Sequence, residues 1–113
     1  MSVKVKFDTR DFVAGLGKLS MSAKPAVIKI VQSNASELQK KEERDVPVDT
    51  GFLKRSITLT TEDEGLTAVV EPTASYATFV EYGTRFMAAQ PYVRPNYYEQ
   101  VKQFMKEMEK LVK

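Results

Sequence analysis

The sequence predicts a small α+β domain. An antiparallel sheet of about three strands, made of an N-terminal strand and a later hairpin, carries a long helix and a C-terminal helix packed on one face. Three observations predict it. Apolar residues alternate with period two near the start of the chain and again on both sides of a polar, glycine-ended loop. They recur with helical spacing over two longer stretches. A segment punctuated by Gly83, Pro91 and Pro95 separates the hairpin from the last helix. The 113 residues are expected to form a single domain, 1–113, with one modest core.

Taken in order, Val3, Val5 and Phe7 alternate with Ser2, Lys4 and Lys6, the pattern of a half-buried strand. Asp8 to Leu19 then places Phe12, Leu16 and Leu19 at helical spacing, although Gly15 and Gly17 each weaken a helix by about 1 kcal/mol relative to alanine. Ser22 is a candidate cap for the next helix, with Pro25 in its first turn, where no internal N–H bond is lost. Val27, Ile30, Val31, Asn34/Ala35 and Leu38 form its apolar stripe. Beyond Leu38 the residues turn charged, so the helix is expected to project past the core before Pro47 stops it. Lys54 to Thr61 reads as a strand with Arg55, Ile57 and Leu59 on one side. Leu66 to Glu71 is its partner, and Glu62-Asp63-Glu64-Gly65 is the loop of the hairpin. Tyr76, Phe79 and Val80 share one face of a short helix that Gly83 ends, because a residue without Cβ accepts positive φ cheaply. Thr84 to Gln90 is an ordered loop. From about Asn96 to Val112, Tyr97, Val101, Phe104, Met108 and Leu111 make one stripe, with Lys102, Lys106 and Lys110 on the solvated face.

Composition narrows the function. Hydrophobic residues make up 42% and charged residues 28% of the chain, the balance of a globular protein. No apolar run approaches the length of a membrane span, and the N-terminus lacks a signal peptide's hydrophobic segment, so a cytoplasmic location and no membrane partner are expected. The chain has no cysteine and no histidine, which removes thiol nucleophiles, disulfides, soft metal sites and the usual proton shuttle near neutral pH. No cofactor and no metal site are expected. A net charge of +2, from 17 basic and 15 acidic residues, is too small for a protein that coats nucleic acid, and no specific nucleic-acid binding is expected. Residues 1–36 carry six basic and two acidic side chains, against five and nine in residues 37–71. That asymmetry is able to orient subunits head to tail, and solvated helix faces also produce it by chance.

Two blocks say more. Tyr76 to Pro95 reads YATFVEYGTRFMAAQPYVRP, and Val46 to Ser56 reads VPVDTGFLKRS. In this order and at this distance they resemble the motifs of the tail-completion, or head–tail joining, proteins of long-tailed bacteriophages and prophages. The matching positions are Asp49, Thr50, Gly51, Leu53 and Ser56 in the first block in chain order, and Tyr76, Val80, Glu81, Gly83, Thr84, Pro91, Arg94 and Pro95 in the second. The resemblance covers about a third of the chain and implies a compact α+β neck protein of the virion. Such a protein is made in the host cytoplasm and forms a ring, six-fold in the virion. It sits at the head-proximal end of the tail, against the tail tube protein and the head-completion or connector protein. A head-side connector or adaptor remains the neighbouring alternative.

Glu81, Arg85 and Arg94 are the charged candidates in that segment. As exposed charges they are worth at most about 1 kcal/mol per pair. As motif positions they offer an ion pair, Glu81 with Arg94, that would pin the loop between them to the domain. Phe86 and Met87 belong to no helical stripe, and apolar residues on an ordered loop often mark a contact surface. Glu81, Gly83, Thr84, Arg85, Phe86, Met87 and Arg94 are therefore the expected partner or subunit interface.

One enzymatic reading competes. Asp49-Thr50-Gly51 is the triplet that a subunit of a dimeric aspartic protease would carry, two such aspartates sharing a proton and activating water. Here the triplet follows Val46-Pro47-Val48 rather than an apolar strand and precedes Phe52, and no apolar pair with glycine supports it downstream. A turn is the better reading: Asp49 accepts backbone N–H bonds and Gly51 supplies the unusual dihedral. A structural, non-enzymatic role is expected.

Overall fold

The structure, a computed structural model, describes residues 3–47 and 51–111. Among the described residues three strands and five helices follow one another as β1 (Val5–Asp8), α1 (Arg10–Gly15), α2 (Ser20–Asp45), α3 (Gly51–Arg55), β2 (Ile57–Glu62), β3 (Thr67–Pro72), α4 (Ala77–Tyr82) and α5 (Arg94–Leu111). The sheet is antiparallel, in the order β1-β3-β2. Val70 lies between Val5 and Leu59, and Ala68 between Phe7 and Thr61. Cross-strand partners share a face, so this register gathers Val5, Phe7, Leu59, Ala68 and Val70 on one side. Val27, Val31, Ala35 and Leu38 of α2 are fully buried in the core cluster they form with that face. Burial of each such side chain contributes about 1.5–3 kcal/mol. α5 lies along α2, and its Phe104 ring meets Phe7 at 5.1 Å between centroids. The α+β architecture therefore follows the periodicities. The molecule is long, 54 × 22 × 22 Å, because α2 alone runs for 26 residues.

Elsewhere the local reading is corrected. The first helix stops at Gly15, and Gly17, at φ +57°, turns the chain through a 3-10 segment (Gly17–Leu19) directly into α2. α2 thus begins at Ser20, and Pro25 lies inside it rather than in its first turn. The bond this costs is tolerable because Pro25 and Met21, whose carbonyl loses its donor, are exposed to water. Nor does the helix project beyond the core: Glu42 and Val46 are buried. The start of α5 packs there, Asn96 donating from Nδ2 to Asp45 Oδ2 (2.8 Å) and to the Lys41 carbonyl (3.4 Å). The charged run is one wall of a helix–helix contact. Lys54 and Arg55 are helical, and the strand begins only at Ile57. On α4 the inward face is Ala77, Val80 and Glu81, while Phe79 is 55% exposed.

The hairpin forms as expected. Asp63 and Glu64 take positive φ (55° and 61°), as does Gly65 (95°), where a Cβ would press on Ile28 at 3.0 Å. α2 and α5 meet through amides as well as apolar groups. The fully buried Gln100 donates from Nε2 to Asn34 Oδ1 (2.6 Å) and Glu37 Oε2 (2.9 Å), and Asn34 Nδ2 donates to Glu107 Oε2 (3.1 Å). Such a seam fixes the register of two helices, since sliding would leave buried polar groups unpaired.

Candidate functional site

The two sequence blocks meet in space. In the first, Leu53 is buried on α3, and Ser56 closes that helix by donating from Oγ to the Leu53 carbonyl (2.7 Å). The Ser56 carbonyl then accepts both the N–H and the hydroxyl of Thr73, at 3.0 Å each, tying α3 to the end of β3. Phe52 stacks on Tyr76 of the second block, with centroids 6.4 Å apart. Gly51 opens α3, with space for a Cβ limited by Arg55 Nη1 at 3.3 Å. Asp49 and Thr50 lie outside the described residues.

Within the second block, α4 turns Val80 and Glu81 inward. Glu81 is fully buried and saturated with donors. Its Oε1 accepts the backbone N–H groups of Tyr92 (2.9 Å) and Val93 (2.8 Å), and its Oε2 accepts the N–H (2.9 Å) and Nε–H (3.1 Å) of Arg94. These N–H groups stand at the N-terminus of α5, where backbone donors lack intrahelical acceptors and the helix dipole favours negative charge. Glu81 is thus a cap for the start of α5 supplied from α4, the helix before it in the chain. Four charge-assisted bonds offset the cost of burying the carboxylate. The Arg94 guanidinium lies over the Tyr82 ring at 4.4 Å and donates from Nη2 to the Glu81 carbonyl (3.3 Å). The ion pair expected between Glu81 and Arg94 is present.

Between those anchors the chain makes a tight, exposed loop. Gly83 ends α4 at φ +81°, and its N–H donates to the Phe79 carbonyl (2.8 Å). The loop folds back over it so closely that a Cβ would sit 2.8 Å from the Ala89 nitrogen and 3.0 Å from the Met87 oxygen. Thr84 and Met87 exchange backbone bonds (2.9 and 3.3 Å), Thr84 Oγ1 accepts the Phe86 N–H (3.1 Å), and the Gln90 N–H donates to the Val80 carbonyl (2.8 Å). Thr84 through Pro91 are all exposed; Phe86 is 88% exposed, with the Arg85 guanidinium 5.1 Å above its ring. Pro95 sits, exposed, in the first turn of α5. Backbone bonds and a carboxylate hold this loop; core packing does not. Glu81, being buried, bears on any contact only through the loop it holds.

Sequence reading missed what lies behind the clamp. Glu42 and Tyr92 are fully buried, and among the described residues neither the Glu42 carboxyl oxygens nor the Tyr92 hydroxyl finds a hydrogen-bond partner. Burial, with the Glu81 and Glu43 carboxylates nearby, raises the Glu42 pKa to about 8, and burial with the same Glu42 and Glu81 pushes the Tyr92 phenol up as well. A signal for Glu42 existed: it continues the buried stripe of Val27, Val31, Ala35 and Leu38 at helical spacing, and Val46 follows it.

Among the described residues no cluster of carboxylates has the spacing of a metal site, and no helix is long and apolar enough to cross a membrane. A family model described as "Bacteriophage HK97-gp10, putative tail-component" matches residues 10–83. No curated protein and no solved structure matches the chain. The matched span takes in α1, α2, the hairpin and α4 with Glu81, and ends at the glycine from which the exposed loop departs.

Proposed function

The chain belongs to the HK97-gp10-like family of bacteriophage tail components, and on that premise we propose that it is a structural virion-assembly protein that joins tail to head. In this reading it forms a ring at the head-proximal end of the tail, six-fold in the virion, bounded by the tail tube protein on one side and the head connector on the other. It is made in the host cytoplasm and ends in the virion neck, and it acts by assembly rather than catalysis.

The observation that carries this reading is the mounting of Phe86. A large apolar side chain stands almost wholly in water at the tip of a loop whose two ends are fixed by Gly83 and by the Glu81 clamp. An exposed apolar group costs solubility, and a loop already ordered loses little entropy on docking. Both features suit contact with another chain. Phe52 and Phe79, also largely exposed, lie on the two helices that the Phe52–Tyr76 stack brings together, and they enlarge the apolar area on offer.

The test is the double variant Arg85→Glu with Phe86→Ser. Neither side chain enters the core, so the purified variant should keep its helical content and melting temperature. In an induced or infected cell it should leave filled heads and unjoined tails side by side in electron micrographs. Normal virions built with a stably folded double variant would remove this loop from the joint.

A further inference from the structure

A second surface lies at the β2 edge of the sheet, where β2 has β3 on one side only. The Thr73 N–H donates to the Ser56 carbonyl (3.0 Å), in register with the β2–β3 pairs. Antiparallel partners alternate between bonded and non-bonded pairs. Thr58, Thr60 and Glu62 therefore turn their backbone groups towards β3, and Ile57, Leu59 and Thr61 turn theirs outward. In that outward row the Ile57 carbonyl accepts the Gln39 side-chain amide (3.1 Å). Among the described residues the backbone groups of Leu59 and Thr61 meet no partner. The edge also lacks the usual guards. Ile57 to Thr61 holds no proline and no charge, only β-branched residues and a leucine, and its three threonines are exposed. β1, the opposite edge, has four residues, of which Lys6 and Asp8 are charged.

We propose that this edge pairs with the β2 edge of a second copy of the chain, antiparallel about a two-fold axis at Leu59. Charge complementarity selects that occupant. Two basic residues, Lys54 and Arg55, precede the strand, and the acidic Glu62 ends it. All three are exposed, and among the described residues none has an ion-pair partner. Asp63 and Glu64, by contrast, are occupied by Arg10 and Lys24. In an antiparallel pair centred on Leu59, that residue faces its own copy, Ile57 faces Thr61, and Thr58 faces Thr60. The basic end of each strand then lies beside the acidic end of the other, twice over. Leu59 exchanges backbone bonds with its copy, and the Ile57 N–H donates to the Thr61 carbonyl. A parallel pair would instead set Glu62 beside Glu62 and Arg55 beside Arg55, which like charges oppose. A two-fold pair closes on itself and is separate from a ring contact, so it stands whether or not the chain joins tail to head.

Sedimentation of the full chain at rising concentration is the test. The parent protein should pass from monomer to dimer below about 1 mM. Thr61→Pro removes an outward N–H and leaves the β2–β3 ladder whole, so it should abolish the dimer while helical content is kept. Arg55→Glu and Glu62→Arg, both at exposed positions, should each weaken the dimer by roughly tenfold. The two changes together should restore it, because opposite charges again lie side by side. That rescue decides the matter even where Thr61→Pro disturbs the strand. Arg85→Glu with Phe86→Ser should leave the dimer unchanged, which separates this edge from the exposed loop. A parent protein still monomeric at about 1 mM would overturn the proposal. So would an oligomer that survives Thr61→Pro in a folded chain, a dimer lost with the Phe86 loop, or a charge swap that fails to restore what the single reversals weaken.

Discussion

Glu81 and Arg94 are joined at three points: carboxylate to guanidinium Nε (3.1 Å), carboxylate to backbone N–H (2.9 Å), and guanidinium Nη2 to backbone carbonyl (3.3 Å). Side chain and main chain of each residue take part, so the end of α4 and the start of α5 are locked in both position and direction. The loop between them is exposed from Thr84 through Pro91. A rigid mount for an exposed tip is what the geometry provides.

Removing the clamp should be costly. Glu81→Ala leaves the N–H groups of Tyr92 and Val93 buried without an acceptor and frees the Arg94 charge, a loss of roughly 3–5 kcal/mol in chemical denaturation. Glu81→Gln keeps one accepting oxygen and should lose less. A Glu81→Ala variant as stable as the parent protein would show that α5 starts without this cap.

The C-terminal helix gives a paired comparison. Phe104 is half-buried against Phe7, and Phe104→Ala should cost about 2–3 kcal/mol through lost burial and a lost ring contact. Lys106 stands on the exposed face, and Lys106→Ala should be within about 0.5 kcal/mol of neutral. Equal losses would mean that α5 packs by a different face.

What was legible in the sequence follows from range. Period-two alternation at Val3, Val5 and Phe7 and the stripe from Val27 to Leu38 are local consequences of which face is dry, so sheet and helices were readable. Gly83 was readable too, because positive φ is a property of one residue. The Glu81–Arg94 pair was found through motif positions rather than periodicity. What failed was the reading of charge as exposure. Glu42 looks like part of a solvated run, yet it is fully buried, and the helical spacing that leads from Leu38 through Glu42 to Val46 is a better guide to its place than its charge. Lys54 and Arg55 alternate in step with Ile57, but the chain there is a helical turn closed by Ser56, a hydrogen-bond arrangement that polarity alternation does not encode. The exposure of Phe79 is the reverse error: an aromatic at helical spacing was placed inward, and the buried polar residue on that helix is Glu81.

Glu42 makes stability depend on pH in a direction opposite to that of most carboxylates. In the unfolded chain it ionises with a pKa near 4.5, whereas in the fold burial holds it protonated up to about 8. Between those values the folded state binds the extra proton, so raising the pH favours unfolding. The contribution is intact below about 4.5, declines through neutral pH and levels off above about 8, a loss on the order of a few kcal/mol. The groups facing Glu42 all act in the same sense: Glu81 from α4 and Glu43 on its own helix are acidic, and the Tyr92 hydroxyl is itself held neutral. Glu42→Gln keeps the shape and removes the titration. Its melting temperature should match that of the parent protein near pH 5 and exceed it by several degrees near pH 8.5, with a flatter profile between. Glu43→Gln, which leaves the buried carboxyl in place, should retain the slope. Parallel profiles for the parent protein and Glu42→Gln would mean that water or a neighbouring group satisfies Glu42 in its charged form.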